Sequence, residues 1–143
     1  MKVEHLDIAR LVPDPENARR HTSESIGAIA RSLRQFGQQK PIVLDNTGTV
    51  YAGSGTLIAA QQLGWTKLYG VRSGLDARKL RAYALADNRT QELSDFDETL
   101  LRQQLRELSY VPDGEDVVLY DLGWTEAELA ALMIEDDAPP EST

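Results

Sequence analysis

The sequence predicts a small α/β (α+β) fold, a mixed sheet with packed helices followed by a C-terminal helical extension. Three observations predict it. Short β-branched and aliphatic runs at 3–6, 42–44, 49–52 and 67–72 alternate with segments of helical periodicity. At 143 residues the chain is long enough for one domain with its own core. It contains no cysteine, which excludes a disulfide scaffold, a thiolate metal site and a thiol nucleophile.

The elements follow in order. Residues 3–6 read as a strand, and Pro13 and Pro15 make 13–21 a loop. Thr22 or Ser23 caps a helix whose inner stripe is Ile26, Ile29, Ala30, Leu33 and Phe36, ended by Gly37. Residues 42–44 and 49–52 form a hairpin about Asp45-Asn46-Thr47-Gly48. After Gly53-Ser54-Gly55, Ser54 or Thr56 caps a helix over 57–63, closed by Gly64, and 67–72 is a further strand. A helix from Asp76 to about Ala86 is followed by a polar segment, 87–92. Asp97 caps a helix with Leu100, Leu101, Leu105 and Leu108 inward. A loop over 109–116 leads to an extended piece at 117–122. Thr125 and Glu128 make a capping box for a last helix ending near Ile134. The acidic, proline-bearing tail 135–143 has nothing to pack and is expected to be disordered.

Charge is unevenly spread. Residues 1–40 carry +2, 41–92 carry +2 and 93–143 carry −12, for a net −8. A basic footprint over the whole domain, as a DNA-binding fold requires, is absent. Residues 1–20 hold no signal-like apolar run and no segment is of membrane-spanning length, so the expected location is cytoplasmic and no membrane partner is expected.

Three segments carry candidate chemistry. Gly53-Ser54-Gly55-Thr56 lies between a strand and a helix, where glycines let backbone approach an anion and the helix N-terminus faces it. Ser54 and Thr56 add hydroxyl donors. The turn is neither a P-loop nor a dinucleotide fingerprint, since no Gly-Lys-Ser/Thr follows and Ile58 stands where a third glycine would be. A strand-to-helix turn without a ligand has the same composition. In Asn17-Ala18-Arg19-Arg20-His21, adjacent arginines on a loop suit phosphate oxygens, although an exposed pair taken alone is more commonly solvated surface. Asp87 and Asn88 offer oxygen ligands to Mg²⁺, with Arg89 in reach of the same phosphates. The alternative is a helix C-terminal stop. The two histidines, His5 and His21, form no constellation with other candidates and receive no role.

The order of these pieces resembles the ParB/sulfiredoxin-like superfamily, specifically the stand-alone ParB-like nuclease domain proteins of phages and mobile elements. The resemblance rests on Asn17-Ala18-Arg19, Gly37-Gln38-Gln39-Lys40-Pro41-Ile42-Val43, Ala52–Ala60 closed by Leu63-Gly64, and Ala86-Asp87-Asn88-Arg89. Asp121-Leu122-Gly123-Trp124 resembles the family's helical extension. It implies a nucleotide-binding core at 1–92, an extension at 93–134 and the tail beyond. In the partition proteins the Gly-rich box binds the triphosphate of CTP, the Asn-x-Arg box closes on it and a Glu-Asn pair holds Mg²⁺. The resemblance therefore implies nucleotide or phosphate binding at Asn17, Arg19, Arg20, Gly53, Ser54, Gly55, Thr56 and Arg89. It places metal at Asp87 and Asn88, and Mg²⁺ with CTP or ATP as the cofactor. A nucleoside triphosphate is the implied ligand, DNA or a DNA-processing protein the implied macromolecular partner, and homodimerisation is left open. NTPase or nuclease activity in DNA metabolism is the implied chemistry. Two departures stand against it: the partition box reads Gly-Glu-Arg-Arg, and here Gly55 and Thr56 stand at the arginine positions. Each lost charge-assisted contact is worth about 1.5–3 kcal/mol. An adaptor with an acidic interaction surface, catalysis lost, is the competing expectation. Sulfiredoxin activity needs a cysteine and is excluded.

Overall fold

The computed structural model describes residues 1–109 and 118–136, and the backbone alone at 135–136. The expected loop over 109–116 and the expected disordered tail 135–143 lie outside the described residues except for 109 and 135–136, and the last two are helical rather than disordered. The chain divides into two compact units, one spanning Met1–Ser94 and the other beginning at Asp95.

The first unit holds strands β1 (Val3–Asp7), β2 (Val12–Pro13), β3 (Ile42–Leu44), β4 (Thr49–Ala52) and β5 (Lys67–Arg72), in the sheet order β1-β5-β3-β4-β2. The sheet is mixed: β1 is antiparallel to β5 and β3 to β4, while β2–β4 and β3–β5 are parallel. The β3–β4 pair is the expected hairpin. Strand β2 was not expected: Val12 precedes the expected loop over 13–21 and Pro13 opens it, and two residues ending in proline carry no periodic signal.

Helix α1 (Ser23–Phe36) is capped by Thr22, whose hydroxyl accepts the Ser25 N–H at 3.0 Å, and it ends at Gly37 with φ 72°. Helix α2 (Ser54–Gln62) packs on α1, and α3 (Ala77–Glu92) lies against β4. Asp76 caps α3 by accepting the Lys79 N–H at 2.9 Å. The core joins Ile8, Leu11, Ile26, Leu33, Ile42, Leu44, Val50, Leu57, Ala59, Ala60 and Leu68. Phe36, expected in the α1 stripe, is instead 40% exposed at the helix end.

Two helix boundaries differ from expectation in ways that matter for the site. Neither Ser54 nor Thr56 is the cap of α2. That place belongs to Gly53, in the left-handed region at φ 94°, and the helix begins at Ser54. Helix α3 does not stop near Ala86 but runs through Glu92, so Asp87, Asn88 and Arg89 are helical residues rather than a terminal stop. The polarity of 87–92 read as loop; one face of the continuing helix is instead solvated, as its low mean apolarity permits.

In the second unit, α4 (Glu98–Ser109) starts at Asp97, whose carboxylate accepts the Leu100 N–H at 3.1 Å. Leu101 and Leu105 are buried, whereas Leu100 and Leu108, expected inward, are 48% and 41% exposed. Residues 119–122 form a 3-10 turn, not the expected extended piece. Helix α5 (Glu126–Asp136) opens on the expected capping box. The Glu128 carboxylate accepts the Thr125 N–H at 2.9 Å and the Thr125 hydroxyl accepts the Glu128 N–H at 3.1 Å. It runs to Asp136, two residues past the expected end near Ile134. Among the described residues no helix is long and apolar enough to cross a membrane.

A β-carbon on Gly53 would stand 2.6 Å from Ile42 Cγ2 and 3.1 Å from its Cβ, in addition to the left-handed backbone. Gly53→Ala is therefore expected to lower the free energy of unfolding by about 2 kcal/mol or more. Urea denaturation measures it, and a loss under about 0.5 kcal/mol, the scale of a neutral surface change, would contradict the reading of the turn.

Candidate functional site

The turn from β4 into α2 follows from its residues. Ile42 on the neighbouring strand β3 closes off the space beside residue 53, so the chain can turn there only without a side chain. The first intrahelical bond of α2 runs from the Leu57 N–H to the Gly53 carbonyl at 3.0 Å. The N–H groups of Ser54, Gly55 and Thr56 thus have no intrahelical acceptor, and the positive end of the helix dipole lies with them.

The second glycine has a different use. Gly55 lies inside the first turn of α2, where a β-carbon would come within 2.7 Å of both His21 Cε1 and Ile29 Cδ1. Its bareness seats the imidazole of His21 and the end of Ile29 against the helix. Ser54 also differs from expectation. It is buried, its hydroxyl donates to the Val50 carbonyl at 3.5 Å, and it accepts from Asn17 Nδ2 at 3.4 Å. The Ser54 hydroxyl fastens the loop to the turn and is not a free donor.

These contacts build one cleft of about 370 Å³. Asn17, Arg19 and His21 enter from the loop after β2, Lys40 and Pro41 from the connection into β3, and Gly53–Thr56 from the turn. Helix α3 supplies Tyr83, Ala84, Asp87, Asn88 and Gln91; of these, 84, 87, 88 and 91 fall at the three- and four-residue spacing of one helix face. The loop and α3 meet across the mouth, where Arg19 Nη1 donates to Asn88 Oδ1 at 3.5 Å over 69 residues of sequence. The loop is also shaped locally: the Asn17 side-chain oxygen accepts the Arg19 N–H at 3.0 Å.

Of the ten candidate residues, eight are brought together: Asn17, Arg19, Gly53, Ser54, Gly55, Thr56, Asp87 and Asn88. Arg20 and Arg89 lie outside the cleft lining. Arg89 is one residue, some 100° of helix, beyond Asn88, and its guanidinium pairs with Glu92 at 3.3 Å. Sequence reasoning missed His21, Lys40, Tyr83 and Gln91. Lys40 lay inside the Gly37–Val43 motif and was read only as part of a pattern. His21 followed the two arginines directly, and its position over Gly55 is a tertiary fact.

The electrostatics are modest. The charged residues lining the cleft are Arg19, Lys40 and Asp87. His21 is held below its ordinary pKa of 6.5, first by burial and then by the charge of Arg19, and its Nδ1 is buried with no protein partner among the described residues. For metal, no group of three His or acidic side chains converges among the described residues. Asp87 and Asn88 supply one carboxylate and one amide oxygen. That set suits Mg²⁺ only together with phosphate oxygens.

No protein-family model matches the chain. The ParB-like nuclease domain-containing protein YnaK of Escherichia coli (strain K12) is 33% identical over 63 residues, which make up 44% of this chain and 72% of YnaK. The chain belongs to the ParB-like family. The nucleoid occlusion protein of Geobacillus kaustophilus (strain HTA426) is 27% identical over 113 residues, 75% of this chain. The match covers 40% of that longer protein. The fold is that of the C-terminally truncated chromosome-partitioning protein ParB from Caulobacter crescentus, solved in complex with CTP-gamma-S. The two superpose with a TM-score of 0.80 at 19% identity, over 97% of this chain and 81% of the other.

A neutral, partly buried His21 ties stability to pH. The unfolded chain takes up a proton near pH 6.5 while the folded chain resists it, so stability falls as pH is lowered through 6.5 and levels off below the folded value. His21→Asn is expected to reduce the difference between urea midpoints at pH 7.5 and 5.5. An unchanged difference would show that His21 is not the group responsible.

Proposed function

We propose that this ParB-like chain binds the phosphates of a nucleotide in the cleft between the Asn17–His21 loop, the N-terminus of α2 and α3. The observation that supports the reading best is the convergence of three segments some seventy residues apart in sequence. Asn17 meets Ser54 and Arg19 meets Asn88 where the α2 amides have no helical acceptors. Arg19 and Lys40 would supply the cationic contacts and the Ser54–Thr56 amides the neutral ones. Asp87 and Asn88 would hold Mg²⁺ between themselves and the phosphate oxygens, where the ion would neutralise phosphate charge. Among the described residues Asp87 is the one carboxylate in the cleft lining, so Asn88 would supply the second protein oxygen. The ligand would be CTP or ATP, in the DNA metabolism of a phage or mobile element.

Cleavage chemistry is less well supported than binding. A two-metal nuclease needs several carboxylates on its metals, and among the described residues the cleft lining supplies Asp87 alone. One observation favours a second reading, an adaptor that engages a basic partner: residues 93–143 carry −12 while the glycine turn has no arginine.

Calorimetric titration with CTP, ATP and GTP in Mg²⁺ tests the reading. Arg19→Ala is expected to weaken binding about tenfold or more, and Thr56→Arg to tighten it by a similar factor, the worth of one charge-assisted contact. If wild type and Thr56→Arg bind none of the three nucleotides, the nucleotide reading is wrong and the adaptor reading replaces it.

A further inference from the structure

Between Asp14 and the Thr22 cap, the loop that carries Asn17 and Arg19 has few backbone bonds outside itself. The Asp14 N–H donates to the Val50 carbonyl on β4 at 3.1 Å; the Asn17 N–H turns back to the Asp14 carbonyl at 3.1 Å, and the Glu16 N–H to Asp14 Oδ1 at 3.0 Å. Asp14 is thus the residue on which the loop is hung. Its side chain is only 5% exposed, and the cation that faces it comes from α3: Arg81 Nη2 lies 3.4 Å from Asp14 Oδ1 and 3.1 Å from Glu16 Oε2. The hydrogen bond and charge of Asp14, with smaller contributions from Glu16 and Tyr51, hold the guanidinium pKa above its usual value.

Arg81 lies outside the cleft lining, yet it begins the α3 stripe that continues through Ala84, Asp87, Asn88 and Gln91. The loop is therefore tied to one helix face at two heights, two turns or about 10.5 Å apart. The upper tie, Arg19 to Asn88, is exposed and long. The lower tie engages a buried carboxylate, and removing its counter-charge is strongly destabilising because it leaves the charge buried and uncompensated. We propose that Arg81 is the positioning residue of the cleft, pinning the Asp14 anchor to α3 so that Asn17 and Arg19 are presented to the glycine turn. Only the ligand-binding consequence rests on the nucleotide reading.

Amide hydrogen exchange on the full chain at pH 7 reads the positioning directly. Arg81→Met and Asp14→Asn are each expected to speed exchange at the Asn17 and Arg19 amides at least tenfold, with the β3 and β5 amides unchanged. Arg81→Lys, which keeps the charge, is expected to recover at least half of the lost protection on a logarithmic scale. Asp14→Asn keeps shape and serves if Arg81→Met does not fold. Titration with inorganic pyrophosphate in Mg²⁺ completes the test: Arg81→Met is expected to bind about tenfold more weakly than wild type. Unchanged protection at Asn17 and Arg19 in the folded variants would overturn the proposal. So would lost protection with unchanged pyrophosphate affinity. If wild type binds neither pyrophosphate nor nucleotide, the nucleotide reading fails, and the exchange rates still decide the role of Arg81.

Discussion

Gly53 leaves β4 at φ 94° with Ile42 pressed against the place a side chain would occupy. That steric constraint sets where α2 begins, and the start of α2 sets everything around it. Because the first helical bond is Leu57 to Gly53, three amides are left without helical acceptors just past the end of β4. Because Ser54 is then the first helical residue, its hydroxyl falls where Asn17 can reach it and the loop is drawn in. Because Gly55 follows within the same turn, His21 and Ile29 can settle on it. A bulkier residue at 53 would move the helix start and detach all three.

The cleft is an assembly of weak contacts on a rigid base. The links between Asn17 and Ser54 and between Arg19 and Asn88, at 3.4 and 3.5 Å, are near the outer limit for hydrogen bonds. Weak ties of this kind let an anion compete for Arg19 without unfolding anything beneath it. The base, in contrast, rests on the buried core residues Val50, Leu57 and Ile42 and on the Asp14–Arg81 pair.

Much of this was legible in the sequence. The strand runs, the hairpin at Asp45–Gly48 and the caps at Thr22, Asp76, Asp97 and Thr125 are written in local residue chemistry, and local chemistry is what decides them. Eight of the candidate residues, picked out by their order along the chain, line one cleft of the fold. The rest depended on distant partners. Polarity over 87–92 read as loop, but α3 continues because a helix needs only one supported face. The division of labour between Gly53 and Gly55 turned on Ile42 and His21, neither adjacent in sequence. Arg81 could not be singled out, since nothing in 14–16 or 78–82 announces that a buried carboxylate at one end needs the guanidinium at the other.

The central claim is that one anion engages all three segments at once. Following backbone amide NMR signals during titration with Mg²⁺ and CTP tests it most directly. A shared phosphate cleft predicts concerted shifts, with one apparent affinity, at Asn17–His21, Gly53–Thr56 and Asp87–Gln91. Shifts confined to one segment, or none at Gly53–Thr56 at saturating nucleotide, would contradict it.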